Sequence, residues 1–290
     1  MVPVSVRPKK GLGQHFLTEP SVIRQIVDAV QAPAGATVVE IGPGEGAMTG
    51  ALLSRYPGLI ALEIDAEAIA HLRARFPALD LREGDVLDTD WTALREEKAG
   101  RRKEGSDGTL RPDAATHALS PMPRPLYVVG NLPYYITAPI LLALLDARAH
   151  LARAVVMVQK EVADRILAGP GTKAYGTLSV YTALWARRSR VLDVPPQAFR
   201  PPPKVDSTVL ALDFAGADAP DVDSAALRRV VRAAFGQRRK MLRNSLSGLA
   251  AQAGVPVPEW AATRRPEQVS PDDFVRLAHA LAPPATPPTP

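Results

Sequence analysis

Two kinds of apolar pattern alternate along the first three quarters of this chain. Short runs rich in Val, Ile and Leu, such as residues 126–129, have the length and composition of buried strands. Between them lie segments with helical apolar spacing, such as Ile26, Val27 and Val30. The alternation predicts an α/β fold with a parallel, doubly wound sheet. The strand runs are residues 37–41, 59–64, 79–82, 126–129, 154–160 and 208–214.

The helical pattern continues alone after a change in composition at residues 215–221, which are rich in Ala, Gly, Asp and Pro. We place a domain boundary there. Residues 1–215 then form the first domain, and residues 222–282 form a small all-helical domain. The Pro-rich residues 283–290 are expected to be a disordered tail.

One stretch interrupts the α/β rhythm. Residues 96–125 are charged, rich in Gly, Ser and Pro, and without apolar periodicity. We expect a flexible insertion there, with no assignable role. Residues 1–10 are basic and contain Pro, which predicts a mobile arm. Just after this arm, Thr18 is a candidate N-cap and Pro20 falls in the first turn of the first helix.

Composition narrows the class of protein. Of the 290 residues, 46% are hydrophobic, which is enough for a large core. The absence of cysteine excludes a disulfide framework and a cysteine-ligated metal site. The apolar stretch from Val22 to Val30 is interrupted by Arg24 and Asp28, so it resembles neither a signal peptide nor a membrane span. We therefore expect a cytoplasmic protein.

The distribution of charge says more than the net charge of +5. Residues 224–258 contain no acidic residue but many basic ones, which favours a polyanionic partner such as RNA. The alternative, an ordinary solvated helix face, usually includes interleaved acids. The candidate RNA-binding residues are Arg228, Arg232, Arg238, Arg239, Lys240 and Arg243.

A glycine-rich turn follows the first strand run of the sheet. Gly42 and Gly44 begin a G-x-G-x-G pattern, and glycine allows backbone to approach a ligand. Ala47 occupies the position where a dinucleotide-binding fingerprint needs its third glycine, so a dehydrogenase is disfavoured. Glu63 ends the next strand, where a carboxylate can accept both hydroxyls of a ribose. Asp85 follows the third strand and can accept from an exocyclic amine, so the set predicts an S-adenosylmethionine site.

The fourth strand run leads into Asn131-Leu132-Pro133-Tyr134. The Asn131 side-chain oxygen and the Leu132 carbonyl are candidate acceptors for the two hydrogens of an adenine amine. Pro133 constrains the residue before it, and Tyr134 can stack on a base. Such a site would act by positioning and charge stabilisation on a flipped-out base. The alternative is a simple strand-ending turn.

Five motifs together resemble those of the ribosomal RNA adenine N6-dimethyltransferases. Within that family the chain is most similar to the bacterial small-subunit (16S) type. The motifs are Gly13-Gln14-His15-Phe16-Leu17, Glu40-Ile41-Gly42-Pro43-Gly44, Asn131-Leu132-Pro133-Tyr134, Phe199 with the run from Pro201 to Ser207, and Gln237-Arg238-Arg239-Lys240.

The resemblance implies a Rossmann-like methyltransferase core and a helical RNA-binding domain. It implies dimethylation of two adjacent adenosines near the 3′ end of small-subunit rRNA. Tyr134 and Phe199 would sandwich the target base. His15 stands where Asn is frequent, so a packed neutral histidine competes with a cofactor contact. The cofactor contacts would be His15, Leu17, Gly42, Gly44, Glu63, Ile64, Asp85, Val86 and Asn131.

Two other functions stay open at this point. One is a large-subunit rRNA dimethyltransferase, although the Pro-rich motif and the long basic block favour the small-subunit type. The other is an RNA-binding ribosome-assembly factor without catalysis, which the intact Asn131, Glu63 and Asp85 argue against. We expect the small ribosomal subunit as partner, a monomeric protein, and neither a metal nor a membrane.

Overall fold

A computed structural model describes residues 14–104, 124–215 and 220–282. The predicted arm at residues 1–10 and the predicted tail at residues 283–290 lie outside these ranges. Residues 96–104, where the sequence predicted the start of a flexible insertion, are instead helical. Helix propensity explains this, because Arg, Lys, Glu and Ala form helix without an apolar face. Residues 105–123, the larger part of the insertion predicted at residues 96–125, lie outside the described residues.

The centre of the fold is a seven-stranded sheet, with a separate two-stranded pair beside it. The strands are β1 (Phe16–Leu17), β2 (Val38–Ile41), β3 (Ile60–Glu63), β4 (Asp80–Glu83), β5 (Leu126–Asn131), β6 (Leu151–Gln159), β7 (Arg187–Val194), β8 (Phe199–Arg200) and β9 (Ser207–Asp213). The strand order in the large sheet is β4-β3-β2-β5-β6-β9-β7, and β1 pairs antiparallel with β8.

Strands β2 to β6 are parallel, as the sequence predicted. The chain runs outward through β3 and β4 on one side of β2 and continues through β5 and β6 on the other. The order therefore reverses between β2 and β5, and ligands of open α/β sheets bind at such a switch point. Gly130 of β5 lies beside Ile41 of β2. A Cβ on Gly130 would lie 2.8 Å from the Ile41 carbonyl oxygen, so only glycine fits there.

The last strand departs from the parallel prediction, because β9 runs antiparallel to β6. The 12-residue connection from β7 contains a single 3₁₀ turn (Pro196–Ala198) and β8, but no α-helix that could carry the chain back across the sheet. The crossover that joins parallel strands usually contains an α-helix.

Twelve α-helices lie in the described ranges, and none is long and apolar enough to cross a membrane. They are α1 (Pro20–Val30), α2 (Thr49–Arg55), α3 (Ala66–Arg75), α4 (Trp91–Glu104), α5 (Thr137–Asp146), α6 (Lys160–Leu167), α7 (Thr177–Trp185), α8 (Ser224–Gly236), α9 (Leu242–Ser245), α10 (Ser247–Ala253), α11 (Glu259–Ala262) and α12 (Pro271–Ala280).

The start of α1 corrects one detail of the sequence analysis. Pro20 begins the helix as predicted, but Glu19 is the N-cap and its carboxylate accepts from the Ser21 N–H at 3.2 Å. The Thr18 hydroxyl instead donates to the Ala198 carbonyl at 3.0 Å. Thr18 thus ties the chain before α1 to the chain before β8.

Contacts divide the chain into two compact units. The first comprises residues 1–160 and 190–215, and the second comprises residues 161–189 and 216–290. The sequence predicted a boundary near residue 215 and assigned all earlier residues to the first domain. In the second unit, α7 packs against α8 and α12, which places part of the earlier sequence among the C-terminal helices.

Candidate functional site

A pocket opens in the first unit where β2, β3, β4 and β5 end. Its lining comes from the chain before β1, from the turns after these four strands, and from the first turns of α5. The lining residues are Gln14, His15, Phe16, Ile41, Gly42, Gly44, Glu63, Ile64, Gly84, Asp85, Val86, Asn131, Leu132, Pro133, Tyr134, Tyr135, Ile136 and Ile140. The pocket thus lies at the switch point of the sheet.

Backbone forms one wall of the pocket at the glycine-rich turn. Gly42 and Gly44 have φ angles of +62° and +56°, which side chains rarely adopt. A Cβ on Gly44 would lie 2.8 Å from Cε1 of Phe16. Gly42 faces open space, with no atom within 4 Å of the position of a Cβ. This cradle admits a ligand directly against the main chain, which fits the predicted S-adenosylmethionine.

Glu63 is buried at the end of β3 and organises this turn. One carboxylate oxygen accepts from the Ile64 and Asp65 N–H groups, each at 2.9 Å. The other accepts from the Gly44 N–H at 3.1 Å. Since a carboxylate oxygen can accept two hydrogen bonds, the second oxygen keeps capacity for a hydroxyl. Glu63 therefore holds the glycine turn in place and can also bind a ribose.

Asp85 lies on the pocket wall next to two apolar side chains. Its Oδ1 accepts from the Leu87 N–H at 2.9 Å and begins a short 3₁₀ helix. Its Oδ2 accepts no hydrogen bond from the residues that the structure describes. Ile64 is 58% exposed although it is a large hydrophobic residue, and Val86 is buried. Together they offer an apolar face and an acceptor, which suits an adenine ring with its amine.

Glu40 lies directly behind the glycine turn and is fully buried. Its Oε2 accepts from the Thr49 hydroxyl at 2.7 Å, while Oε1 has no partner among the described residues. Burial raises the pKa of Glu40 to about 7, the hydrogen bond from Thr49 opposes this, and the nearby Glu63 adds to it. Glu40 is thus close to its titration point at neutral pH.

The side-chain amide of Asn131 has a defined orientation. Its Nδ2 donates to the His15 backbone carbonyl at 2.9 Å. Because a carbonyl can only accept, the nitrogen must face His15 and Oδ1 must point away from it. Neither Oδ1 nor the Leu132 carbonyl accepts a hydrogen bond from any described residue. Two acceptors on consecutive residues are therefore available at the pocket.

Tyr134 is held by a hydrogen bond at its hydroxyl and by a stacking contact on its ring. Its hydroxyl and the Ser207 hydroxyl are 2.6 Å apart, and burial raises the pKa of Tyr134 against the effect of this bond. The His15 ring stacks on Tyr134 with centroids 5.5 Å apart and planes at 28°. His15 Nδ1 lies 2.7 Å from the Pro201 carbonyl, so Nδ1 carries a proton. Tyr134 is therefore a neutral, fixed stacking surface.

Two predicted site residues do not line the pocket. Leu17 and Phe199 are 4% exposed, pair across β1 and β8, and belong to one apolar core cluster. Alternation along a strand explains this, because Phe16 faces the pocket and its neighbour Leu17 must face the other way. In this structure the ring that stacks on Tyr134 is that of His15, and not that of Phe199.

A model of the family described as Ribosomal RNA adenine dimethylase matches residues 6–282. The chain belongs to the ribosomal RNA adenine dimethylase family. A relative from Salinibacter ruber, named ribosomal RNA small subunit methyltransferase A, is 45% identical over 279 residues, covering 96% of this chain and 86% of the relative. A protein of the same name from Xanthomonas euvesicatoria pv. vesicatoria is 43% identical over 281 residues, covering 95% and 97%.

Solved structures agree with this assignment. A dimethyladenosine transferase from Plasmodium falciparum has the same fold, with a TM-score of 0.66 and 22% identity over 91% of this chain and 96% of its own. The 23S rRNA methyltransferase ErmE gives a TM-score of 0.55 and 26% identity, covering 92% and 99%. As a member of the adenine dimethylase family, the chain is an S-adenosylmethionine-dependent rRNA methyltransferase, and the predicted fold class, reaction and cofactor are confirmed.

Several pocket residues of this dimethylase were not predicted from the sequence. Gln14 donates to the Asp65 carboxylate at 3.3 Å and Phe16 packs against the glycine turn. Both belong to the motif before the first helix. Since the sequence analysis assigned His15 and Leu17 of this motif to the site, the same motif could have indicated Gln14 and Phe16. Tyr135 is 56% exposed and lines the pocket as well. Tyr135 directly follows Tyr134 in the turn after β5, and this position was the signal that could have indicated it.

The predicted RNA-binding residues of the dimethylase lie in the second unit. Arg228 and Arg232 are on α8, Arg239 and Lys240 are in the turn after it, and Arg243 is on α9. All of these are exposed except Arg228, which is half-buried and whose pKa is lowered by burial and by Arg232. The sixth, Arg238, is half-buried and forms an ion pair with Glu267 at 3.1 Å.

Proposed function

We propose that this protein transfers methyl groups from S-adenosylmethionine to N6 of two adjacent adenosines near the 3′ end of small-subunit rRNA. The product is N6,N6-dimethyladenosine, formed during ribosome biogenesis. Family membership and the names of the relatives support the reaction and the small subunit. The pair of acceptors at Asn131 and Leu132 is the observation that carries the chemistry.

Adenine N6 is a weak nucleophile because its lone pair is delocalised into the ring. In the first transfer both N–H groups donate to the two acceptors, and in the second transfer the one N–H that remains donates to one of them. These bonds favour a pyramidal nitrogen and stabilise the positive charge that develops on it. Each transfer would release S-adenosylhomocysteine, and the methylated nitrogen would lose its proton to solvent. Asn131 Oδ1 and the Leu132 carbonyl supply these acceptors, and the His15 carbonyl fixes the Asn131 amide so that oxygen faces the substrate. Pro133 constrains Leu132, so the acceptors are in place before the base enters.

Tyr134 provides the face on which the target base stacks. Its hydroxyl is anchored by Ser207 and its raised pKa keeps it neutral, so it acts by stacking and not as a base. A base inside a duplex cannot reach a pocket at the end of a sheet, so the substrate adenosine must be extruded or unpaired.

The cofactor site of this proposal consists of the glycine turn, the acids at the strand ends and the adjoining apolar residues. S-adenosylmethionine supplies an electrophilic methyl group when bound. Glu63 would bind the ribose hydroxyls, Asp85 would accept from the adenine amine, and Ile64 would cover the adenine ring. Gly42 lets the main chain approach the ligand. The remaining members of the proposed site are His15, Gly44, Val86 and Asn131.

The partner is the small ribosomal subunit, bound through the phosphate backbone of its RNA. The exposed basic residues of the second unit are suited to this role, since phosphate contacts supply most of the affinity for RNA. We place the protein in the cytoplasm, where its substrate is assembled, and expect it to act as a monomer. No cluster of three or more metal-binding side chains occurs among the described residues.

Labelled-methyl transfer to unmodified small-subunit particles tests the proposal. We expect dimethyladenosine at two adjacent positions, located by mapping the modified nucleotides. Asn131→Ala should lower the methylation rate by about 10²- to 10³-fold, because a single acceptor or donor at a reacting centre contributes that much. Particle binding should be retained, because the RNA-binding residues lie in the second unit.

Gln25→Ala is the matched control, since it removes an exposed amide on α1 and should leave the rate unchanged. Preferential methylation of large-subunit particles in a competition assay would reject the proposed substrate. Full activity of Asn131→Ala would reject the proposed mechanism while leaving the substrate assignment intact.

A further inference from the structure

The segment between α6 and α7, residues 168–176, is exposed at residues 170–173 and is held by several contacts within the second unit. We call it the 168–176 loop. The Gly171 N–H donates to the Glu267 carbonyl at 2.6 Å. The Tyr175 ring is fully buried, and its hydroxyl donates to the Val269 carbonyl at 2.9 Å. These contacts fasten the loop to the chain that precedes α12, within the second unit.

Arg238 adds the central contact of this arrangement. Its Nε donates to the Glu267 carboxylate at 3.1 Å, and its Nη2 donates to the carbonyls of Lys173 at 2.7 Å and Thr172 at 3.4 Å. The Nε and Nη2 donors of Arg238 therefore both form hydrogen bonds within the protein. The planar fork satisfies one carboxylate and two carbonyls at once, which a lysine ammonium with the same charge cannot reproduce in that geometry.

The loop presents one positive charge to solvent. Lys173 is exposed and forms no ion pair with any residue that the structure describes. Two acids that line the same depression as Lys173 form ion pairs with arginines, Glu267 with Arg238 and Glu161 with Arg165. The Thr172 hydroxyl donates back to the Gly169 carbonyl, so the tip has a defined shape. A cation on a loop held in a defined shape suits a phosphate of fixed position.

We propose that the 168–176 loop is a contact site for the RNA phosphate backbone through Lys173, and that Arg238 is the positioning residue that holds it. This rests on the proposed function, because the phosphate belongs to the small-subunit rRNA. It differs from the sequence-based prediction that Arg238 itself contacts RNA. The predicted RNA-binding residues then have two kinds of role. The exposed ones contact phosphates, and Arg238 supports the 168–176 loop from inside the protein.

Charge-conserving substitution separates the two roles of Arg238. If Arg238 contacted a phosphate, Arg238→Lys would keep most of the affinity, because a lysine is also a good phosphate ligand. If it holds the loop, Arg238→Lys should weaken particle binding about tenfold although the charge is unchanged. Arg24→Lys, an exposed charge-conserving change on α1, is the matched control and should bind like the unmodified protein.

The two possible roles of Arg238 predict opposite effects of Glu267→Ala on the affinity for small-subunit particles. It removes a negative charge beside the RNA-binding surface, so a purely electrostatic role for Arg238 predicts tighter binding. The positioning role predicts weaker binding, because Arg238 loses its carboxylate partner and the loop loses its support. Tighter binding by Glu267→Ala would overturn the proposal.

The salt dependence of binding tests Lys173 directly. Lys173→Gln should lower the slope of log affinity against log salt by about one, the loss of one phosphate contact. Arg24→Gln should leave the slope unchanged. An unchanged slope for Lys173→Gln would overturn the RNA contact.

Trypsin provides a measurement on the free protein, without RNA. Cleavage after Lys173, followed by mass spectrometry, should be several times faster in Arg238→Lys and Glu267→Ala than in the unmodified protein. Equal cleavage rates would reject the positioning role.

If the unmodified protein did not methylate small-subunit particles, the proposed function would fail. If it did so while all loop variants bound normally, only the inference about the loop would fail.

Discussion

The buried Glu40 leads to a quantitative prediction about stability. Its carboxyl is inaccessible to solvent and has a single hydrogen-bond donor, Thr49, among the described residues. Burial raises its pKa from the usual 4.5 to about 7. Between these values the folded protein binds a proton that the unfolded chain has released. The cofactor-free protein should therefore lose stability as pH rises through this window.

The size of the effect follows from the two pKa values. One pKa unit corresponds to about 1.4 kcal/mol, so the free energy of unfolding should fall by roughly 2 to 3 kcal/mol between pH 5 and pH 8 through this group alone. Glu40→Gln cannot ionise and keeps an oxygen that accepts from Thr49. The variant should lack this part of the pH dependence and be the more stable protein at pH 8.

The assay is denaturant unfolding of the cofactor-free protein at pH 5 and pH 8, for the unmodified chain and for Glu40→Gln. Subtracting the two pH dependences removes the contributions of all other groups. Glu96→Gln, the same change at an exposed carboxylate of α4, should leave the pH dependence unaltered. The reasoning is refuted if Glu40→Gln has the same pH dependence as the unmodified protein.

Three further substitutions test the pocket and the sheet. Glu63→Gln should weaken cofactor binding at least tenfold by calorimetry, because its amide nitrogen would face the Gly44 N–H; unchanged affinity would contradict the assigned role. Tyr134→Ala should reduce kcat/KM by roughly 10- to 100-fold through lost stacking, whereas Tyr134→Phe should cost only a few-fold; equal losses would assign the effect to the hydroxyl. Gly130→Ala should lower the free energy of unfolding by about 1 to 3 kcal/mol in denaturant melts, and normal stability would contradict the close approach to Ile41.

The parallel strands and the cofactor acids could be predicted because local pattern determines them. Apolar runs mark β2, β3 and β5, and the polar residues that end them must meet at one edge of a parallel sheet. The antiparallel β9 was missed, because the direction of a strand depends on the kind of connection that precedes it, here one without an α-helix, and not on its own residues. Helix α7 is hard to predict for a different reason, since it is apolar on most sides and carries no clear helical period.

The parts of the site that escaped prediction depend on contacts across long sequence separations. The motif residues Leu17 and Phe199 were carried over from a family pattern, but strand alternation turns both side chains into the core. The orientation of the Asn131 amide depends on the His15 carbonyl, more than a hundred residues earlier. In the sequence, Arg238 is one of several cations in a basic run. Only its hydrogen bonds to Glu267 and Lys173 indicate that it positions the 168–176 loop.

The discontinuous second unit has a consequence for synthesis of the chain on the ribosome. Helix α7 buries Tyr181 and Trp185 and packs against α8 and α12, and α12 is made roughly 90 residues later. At usual elongation rates this delay is about 5 to 20 s, during which the apolar face of α7 lacks its partner α12. The nascent chain therefore presents a temporary binding site for chaperones, which should disappear when Phe274 emerges and completes the unit.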